Sequence, residues 1–285
     1  MSSLYVKMTD ACNLSCPFCY ARKENAALSG FSVAAVKETV AKYPGITRIT
    51  LHGGEPLLNP RGCRELIKAF PGMDISITSN LAMSTEWVKD CMDILERCDV
   101  ATSYSVDRFT TTEGWNRFLE NTQLLREKNI PFTLLVTLSE AQMKQDPKML
   151  VSTIKSIGPS NTTFERLYIT DGKTEDKIAC AERTDNYLTE LFRLMPEGNN
   201  LRSWMLEALQ MGISVFPPKC QSMTLETDGT LIACPNLCGK QPSKKRKREC
   251  LHCELYQWCR EDCPSFQDVC SFPKNTFKKL KDGEL

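Results

Sequence analysis

The 285-residue chain has no run of eighteen apolar residues, which excludes an ordinary membrane-spanning helix. Its opening lacks the basic-then-apolar layout of a secretory signal, so a cytoplasmic location with no membrane partner is expected. An excess of one charge is missing too: 36 Lys and Arg stand against 35 Asp and Glu, a net charge of +1. That balance argues against binding nucleic acid or a membrane through a global field. Histidine is scarce; His52 and His252 each lie inside a stronger motif, and neither is assigned a catalytic role. Hydrophobic (41%) and charged (25%) contents are those of a globular chain, long enough for one large domain or a domain with an appendage.

Cysteine is abundant. Of 15, three fall at positions 12–19 and nine between Cys180 and Cys270, with Cys63, Cys91 and Cys98 between the groups. A secreted disulfide scaffold would be shorter and carry an export signal. Metal or cluster ligation in a reducing compartment fits this spacing better, and implies oxygen sensitivity.

The first two-thirds of the chain alternates strand and helix patterns. Strands are expected at Leu4–Met8, Ile46–His52, Asp74–Thr78, Val100–Val106, Phe132–Leu138 and Thr163–Ile169. Helices are expected from Ser32, a capping residue, to about Lys42, and at Arg61–Phe70, Ser84–Arg97, Thr112–Asn129 and Pro147–Ile157, the last stopped by Gly158-Pro159. Cys91 and Cys98 sit at core spacing in the third of these. Two further helices are expected at Thr184–Met195 and Leu201–Met211, with Trp204 and Leu206 packing. Strand–helix alternation implies a parallel sheet with function gathered at the strands' carboxyl ends. From Phe216 the composition turns to Cys, Pro, Gly and polar residues, and a basic helix is expected in 275–285.

The first strand leads into Cys12-Asn-Leu-Ser-Cys16-Pro-Phe-Cys19-Tyr. A loop there can aim three thiolates at one iron–sulfur cluster, leaving one iron of four open to a further ligand; a zinc loop is the alternative. Cys-x3-Cys-x-aromatic-Cys resembles the signature of the radical S-adenosylmethionine (radical SAM) enzymes. By that resemblance Cys12, Cys16 and Cys19 hold a [4Fe–4S] cluster and Phe18 lies along the adenine of S-adenosylmethionine. Gly53-Gly54-Glu55-Pro56, one strand later, is similar to the family's segment for the methionyl amino group. Ser79-Asn80 and Ser105 resemble further cofactor contacts, with Leu81 and Arg108 at places where glycine is common. Arg166 is a candidate for the cofactor carboxylate, and Tyr104 and Asp107 are the candidate catalytic residues. A turn or capping role is the alternative for these weaker correspondences.

Cys250-x2-Cys253-x5-Cys259-x3-Cys263, with Gly229-x4-Cys234, resembles the SPASM domain of radical SAM enzymes; the interval from Cys220 to Gly229 is slightly short. The resemblance implies one auxiliary cluster on Cys220, Cys234 and Cys263, with Cys238 or an open iron completing it. A second cluster would use Cys250, Cys253, Cys259 and Cys270. A zinc ribbon is the alternative for this block. The expected architecture is α/β, a partial (β/α)6 radical SAM barrel over 1–212, a small cysteine-rich SPASM domain over 213–273, and a tail over 274–285.

The implied activity is reductive cleavage of S-adenosylmethionine to a 5′-deoxyadenosyl radical that takes a hydrogen atom from substrate. Flavodoxin or ferredoxin would supply the electron, and a peptide or protein side chain is the expected target, through oxidation, crosslinking or epimerisation. Alternatives are modification of a nucleotide, a hypermodified DNA base or a small amino-acid derivative, or a non-catalytic cluster- or zinc-binding protein. With the motif starting at residue 12, no leader-binding domain is expected before it. The run Lys244–Arg248 reads as a solvated loop, with an acidic peptide or nucleic acid as its functional alternatives. Cys180 reads as a buried thiol, with a hydrogen-donor role the alternative.

Overall fold

A computed structural model describes residues 2–17, 19, 31–109, 111–166, 174–213, 215, 222–232, 253–259 and 272–285. Two compact units divide the chain: Met1–Leu135 with Ile157–Ser160 and Gln221–Lys240, and Val136–Ser156 with Asn161–Cys220 and Gln241–Leu285.

The first unit alternates strands and helices. β1 (Ser2–Lys7), α1 (Val33–Lys42), β2 (Ile46–His52), α2 (Pro60–Ala69) and β3 (Asp74–Ser79) are followed by α3 (Thr85–Asp90) and α4 (Met92–Leu95). β4 (Asp99–Tyr104), α5 (Thr112–Glu127) and the start of β5 (Phe132–Leu138) come next. The hairpin β7 (Met223–Leu225) and β8 (Leu231–Ile232) belongs to this unit as well. Its sheet has the order β5-β4-β3-β2-β1-β7-β8. Neighbours from β4 to β7 run parallel, and β7 pairs with β8 antiparallel.

Register gives this sheet two unlike faces, because successive side chains point oppositely. Val6, Leu51, Ile77 and Val100 stand in one cross-strand row, with Leu4, Ile49 and Ile75 on the same face, all at most 7% exposed. The helices complete that core with Val36, Leu66, Val88, Ile94 and Phe118, each fully buried. Burial of each such side chain favours the fold by roughly 1.5–3 kcal/mol before chain entropy is set against it. The opposite face carries Tyr5, Lys7, Thr50, His52, Ser76, Thr78 and Ser103, and the Thr50 and Ser76 hydroxyls meet at 2.8 Å.

Side-chain caps fix the helix starts as the capping residues lead one to expect. Ser32 accepts from Ala35 N–H (3.4 Å), Asn59 from Gly62 N–H (3.0 Å) and Thr111 from Gly114 N–H (3.1 Å). The single helix expected over 84–97 is two, because Cys91 N–H is shared between Trp87 and Val88 carbonyls (3.2 and 3.1 Å), which tightens the turn. The β7–β8 hairpin falls where little periodicity is visible in the sequence. Its turn places Gly229 at φ +85°, and Glu226 N–H donates to Thr230 O at 2.9 Å.

The chain enters the second unit within β5. Here lie α6 (Glu140–Met143), most of α7 (Pro147–Ile157), β6 (Asn161–Arg166), α8 (Thr174–Leu194), α9 (Asn200–Met211), α10 (Tyr256–Cys259) and α11 (Lys274–Lys281). α8 begins at Thr174, not Thr184. Leu188, Leu191, Phe192, Met205 and Phe277 are its buried apolar centre. Trp204, expected to pack, is 45% exposed; Leu201, Met205 and Ala208 centre the buried face of α9 and leave Trp204 at its edge. The basic helix expected near the end of the sequence is α11. Asp185 of α8 accepts the N–H groups of Asn275 (2.7 Å) and Thr276 (2.9 Å), satisfying the helix start from another element.

No helix among the described residues is long and apolar enough to cross a membrane.

Candidate active site

At the carboxyl ends of β1 to β4, the turns that follow converge on the loop carrying Cys12, Cys16 and Cys19. The end of β2 holds the loop's first residues. Met8 N–H donates to His52 O (2.7 Å), Gly54 N–H to Thr9 O (2.8 Å) and Glu55 N–H to Ala11 O (2.8 Å). Asn59 Nδ2 adds a bond to Met8 O at 2.9 Å. Such an approach admits no side chain. A Cβ on Gly54 would lie 2.1 Å from Ala11 O, and one on Gly53, at φ +142°, 2.5 Å from Thr9 O. Gly53 and Gly54 are thus fixed by close backbone packing against the cysteine loop, and Pro56 opens the short 3₁₀ turn Pro56–Leu58 after them.

Glu55 turns inward and is 1% exposed. Its Oε1 accepts from Ser79 Oγ (2.8 Å) and Leu57 N–H (3.1 Å), and Oε2 from Asn80 N–H (2.7 Å). Burial pushes its carboxyl pKa up; those donors and the Arg108 charge oppose the shift without cancelling it. Asn80 in turn reaches the cysteine loop. Its Nδ2 donates to Asn13 Oδ1 at 2.8 Å and lies 3.8 Å from Cys12 Sγ, while Asn13 Nδ2 donates to Ala82 O at 3.2 Å.

Leu81 occupies the glycine-like place after Asn80 and adopts the left-handed conformation, φ 51°. A leucine carries that left-handed backbone at a steric cost of about 1–2 kcal/mol. Asn121, fully buried on α5, secures the turn by donating from Nδ2 to both Leu81 O and Met83 O at 2.9 Å.

The turn after β4 closes the other side. Ser105 is fully buried and its hydroxyl donates to Asp107 Oδ1; Arg108 N–H returns to Ser105 O at 3.0 Å. Cys16, 8% exposed, has its Sγ 3.8 Å from Arg108 O. Burial pushes the Cys16 thiol pKa up, the Arg108 cation pulls it down, and Cys19 adds to the upward side. Tyr104 is 7% exposed and packs on Trp115 (ring centroids 5.7 Å apart), within an aromatic cluster that includes Phe109 and Phe118.

Behind the loop, Lys7 is 5% exposed, with Nζ 2.5 Å from Asp10 Oδ1 and 3.0 Å from Glu226 Oε2, while Thr227 Oγ1 donates to Asp10 Oδ2 at 2.8 Å. Burial pulls the ammonium pKa down, but the two carboxylates outweigh it and the net shift is upward. His52, beside Lys7 in register, has its pKa lowered to about 4 by burial and by the Lys7 charge.

Cys12, Cys16, Cys19, Gly53, Gly54, Glu55, Pro56, Ser79, Asn80, Ser105 and Asp107 therefore share one region of the first unit. Phe18 and Cys220, Cys234, Cys238, Cys250, Cys263 and Cys270 lie outside the described residues, as do Lys244–Arg248; Arg166 ends β6 and its side chain is not described. Cys253 and Cys259 are described in the second unit, Cys259 at the end of α10 and 9% exposed. Among the described residues no three His, Cys, Asp or Glu side chains converge on one metal-sized point. The donor set nevertheless suits a thiolate-bound cluster. Three cysteines share one loop, and Leu14 N–H (3.4 Å) and Asn80 Nδ2 (3.8 Å) are aimed at Cys12 Sγ, as donors to a ligating thiolate would be. Sequence reasoning missed Asn13, Asn121 and the Lys7–Asp10–Glu226 group. Asn13, inside the cysteine motif, was the one with a local signal.

The Radical SAM superfamily model matches residues 6–152. A probable GTP 3′,8-cyclase of Methanocella arvoryzae is 37% identical over 118 residues, covering 39% of this chain and 37% of that protein. The sporulation killing factor maturation protein SkfB of Bacillus subtilis is 28% identical over 153 residues, covering 49% and 36%. The chain thus aligns with little more than a third of these curated relatives' length. Among solved structures, anSMEcpe, determined with AdoMet and the Cp18Cys peptide, superposes with a TM-score of 0.72 at 16% identity, covering 99% of this chain and 97% of that one. Streptococcus suis SuiB bound to its precursor peptide SuiA gives 0.59 at 13% identity, covering 94% and 75%. At these identities the structural likeness is one of fold.

Proposed function

The chain belongs to the radical SAM superfamily, and from that premise we propose that it is a radical SAM enzyme modifying a peptide or protein side chain. When bound at Cys12, Cys16 and Cys19, a [4Fe–4S] cluster with S-adenosylmethionine would supply a 5′-deoxyadenosyl radical able to take a hydrogen atom from an unactivated carbon. The observation that carries the reading is the fastening of the cysteine loop to Gly54, Glu55 and Asn80, the segments that resemble the family's cofactor-binding motifs.

In this reading the chain's own groups hold and orient. Gly53 and Gly54 let β2 grip the loop, and the backbone there faces the methionyl end of the cofactor. Glu55 braces β2 against β3. Asn80 steadies Cys12, Ser105 orients Asp107, and Asp107 faces the substrate. Phe18 and Arg166 take the adenine and the cofactor carboxylate. Tyr104, buried beside Trp115, supports the β4 turn next to the reacting groups.

The peptide target is supported by the fold shared with two structures determined with peptides, and by similarity to SkfB. A nucleotide target is the second reading, supported by the identity to a probable GTP 3′,8-cyclase. The C-terminal cysteines Cys220, Cys234, Cys238, Cys250, Cys253, Cys259, Cys263 and Cys270 would hold two auxiliary clusters in a SPASM domain. A cytoplasmic flavodoxin or ferredoxin would deliver the electron.

The test is anaerobic reconstitution with iron and sulfide, followed by dithionite and S-adenosylmethionine. Release of 5′-deoxyadenosine, lost when Cys12, Cys16 and Cys19 are changed to Ala, is the expected result; an iron-replete protein that releases none overturns the reading. About twelve irons per chain would match three four-iron clusters, whereas stoichiometric zinc without sulfide would not. Incubation with candidate precursor peptides and with GTP, followed by mass spectrometry, separates the two substrate classes.

A further inference from the structure

We propose that Arg108 is an electrostatic positioning residue of the Cys12–Cys16–Cys19 centre, a fixed cation that makes the cluster bound there easier to reduce. The inference rests on the radical SAM reading and goes beyond it, because the sequence pattern at this place commonly has glycine and offers no charge.

Arg108 is held in place by its own backbone. Its N–H closes the turn on Ser105 O at 3.0 Å, and its carbonyl oxygen lies 3.8 Å from Cys16 Sγ. The Cα of Arg108 is thereby fixed beside a cluster-ligand sulfur. The residue is half-buried, and its Nε is shielded from solvent with no acceptor among the described residues. No carboxylate among the described residues forms an ion pair with the guanidinium. The same charge opposes the upward push of burial on the Glu55 carboxyl.

Adding an electron to a cluster ligated by three thiolates increases negative charge in a partly buried setting. A nearby cation stabilises the reduced form more than the oxidised one, and net charge is among the main determinants of cluster potential. Glu55 and Asp107 act in the opposite sense.

The test compares wild type, Arg108→Lys and Arg108→Gln after anaerobic reconstitution of the full chain. Iron and sulfide contents are matched first. The midpoint potential is then read by electron paramagnetic resonance during a redox titration, following the signal that changes when S-adenosylmethionine is added. Arg108→Gln should shift that midpoint to a more negative value, and Arg108→Lys, which keeps the charge, should return most of the way to wild type. A midpoint unmoved in Arg108→Gln overturns the inference, and so does an equal shift in both variants, which would assign the effect to lost packing. A wild-type protein replete in iron and sulfide but without a signal responsive to S-adenosylmethionine overturns the radical SAM reading itself, and the inference with it.

Discussion

Glu55 accepts the backbone N–H of Asn80 at 2.7 Å, so a buried carboxylate at the end of β2 fixes the end of β3. The two residues flank the cysteine loop, one through Ala11 and the other through Asn13 and Cys12. Both carboxylate oxygens receive donors, and Glu55→Gln would set an amide NH2 against an N–H or O–H. The expected loss is about 1–3 kcal/mol of unfolding free energy, measured by urea titration. Because burial raises the folded carboxyl pKa above about 4.5, Glu55 detracts from stability as pH rises from there through the folded value. Glu55→Gln should abolish that component of the pH profile.

His52 predicts the opposite slope. Its folded pKa of about 4 lies below the ordinary 6.5, so the native state resists taking a proton that the unfolded chain takes readily. Stability is fully present above pH 6.5 and is lost as pH falls toward 4, by about 3 kcal/mol at most. Thermal unfolding of wild type and His52→Asn between those limits checks this. The variant should show a shallower fall, and an identical one would contradict the assignment.

Leu81 sets two effects against each other. Replacing it with glycine relieves a left-handed φ worth about 1–2 kcal/mol, but empties a fully buried leucine site, worth about 2–5 kcal/mol. Burial should win, leaving Leu81→Gly less stable by about 1–3 kcal/mol. Asn121→Leu removes the donor to two buried carbonyls and should cost a similar amount, about 2–4 kcal/mol. Denaturant midpoints of the two variants and the double variant report their coupling.

Asp185→Ala bears on the second unit alone. The variant leaves the Asn275 and Thr276 N–H groups at the start of α11 without their acceptor. A loss of about 1–2 kcal/mol, typical of a helix cap, should speed amide exchange across Lys274–Lys281 roughly tenfold. Exchange in β1 to β4 should stay unchanged.

Much of this was legible in the sequence. The six strands of the β/α alternation appear near their expected positions, because apolar periodicity and capping residues act locally. The cysteine loop and Gly53–Pro56 could be paired in advance because each ends a neighbouring strand. The β7–β8 hairpin could not: a strand of three residues and one of two have no periodicity to read, and what places them is pairing with β1. Arg108 was visible as a departure from glycine, but its relation to Cys16 and Glu55 requires the fold. At Leu81 the reverse holds. The side chain departs from the pattern while the backbone takes a left-handed conformation that glycine adopts readily.

The pairing of β1 with β7 also orders events during synthesis. β1 leaves the ribosome first, gains β2 within about fifty residues, and then presents an open edge until Met223–Leu225 arrive. Lys7 waits equally long for Glu226, 219 positions later. A nascent chain therefore carries an unpaired strand edge and a half-neutralised lysine beside its cysteine motif until those later residues are made. That interval is when strand-edge association competes with correct closure, and closure at so long a separation is intrinsically slow. Pulse proteolysis of stalled chains should find the first strand protected only once residues beyond 232 have emerged.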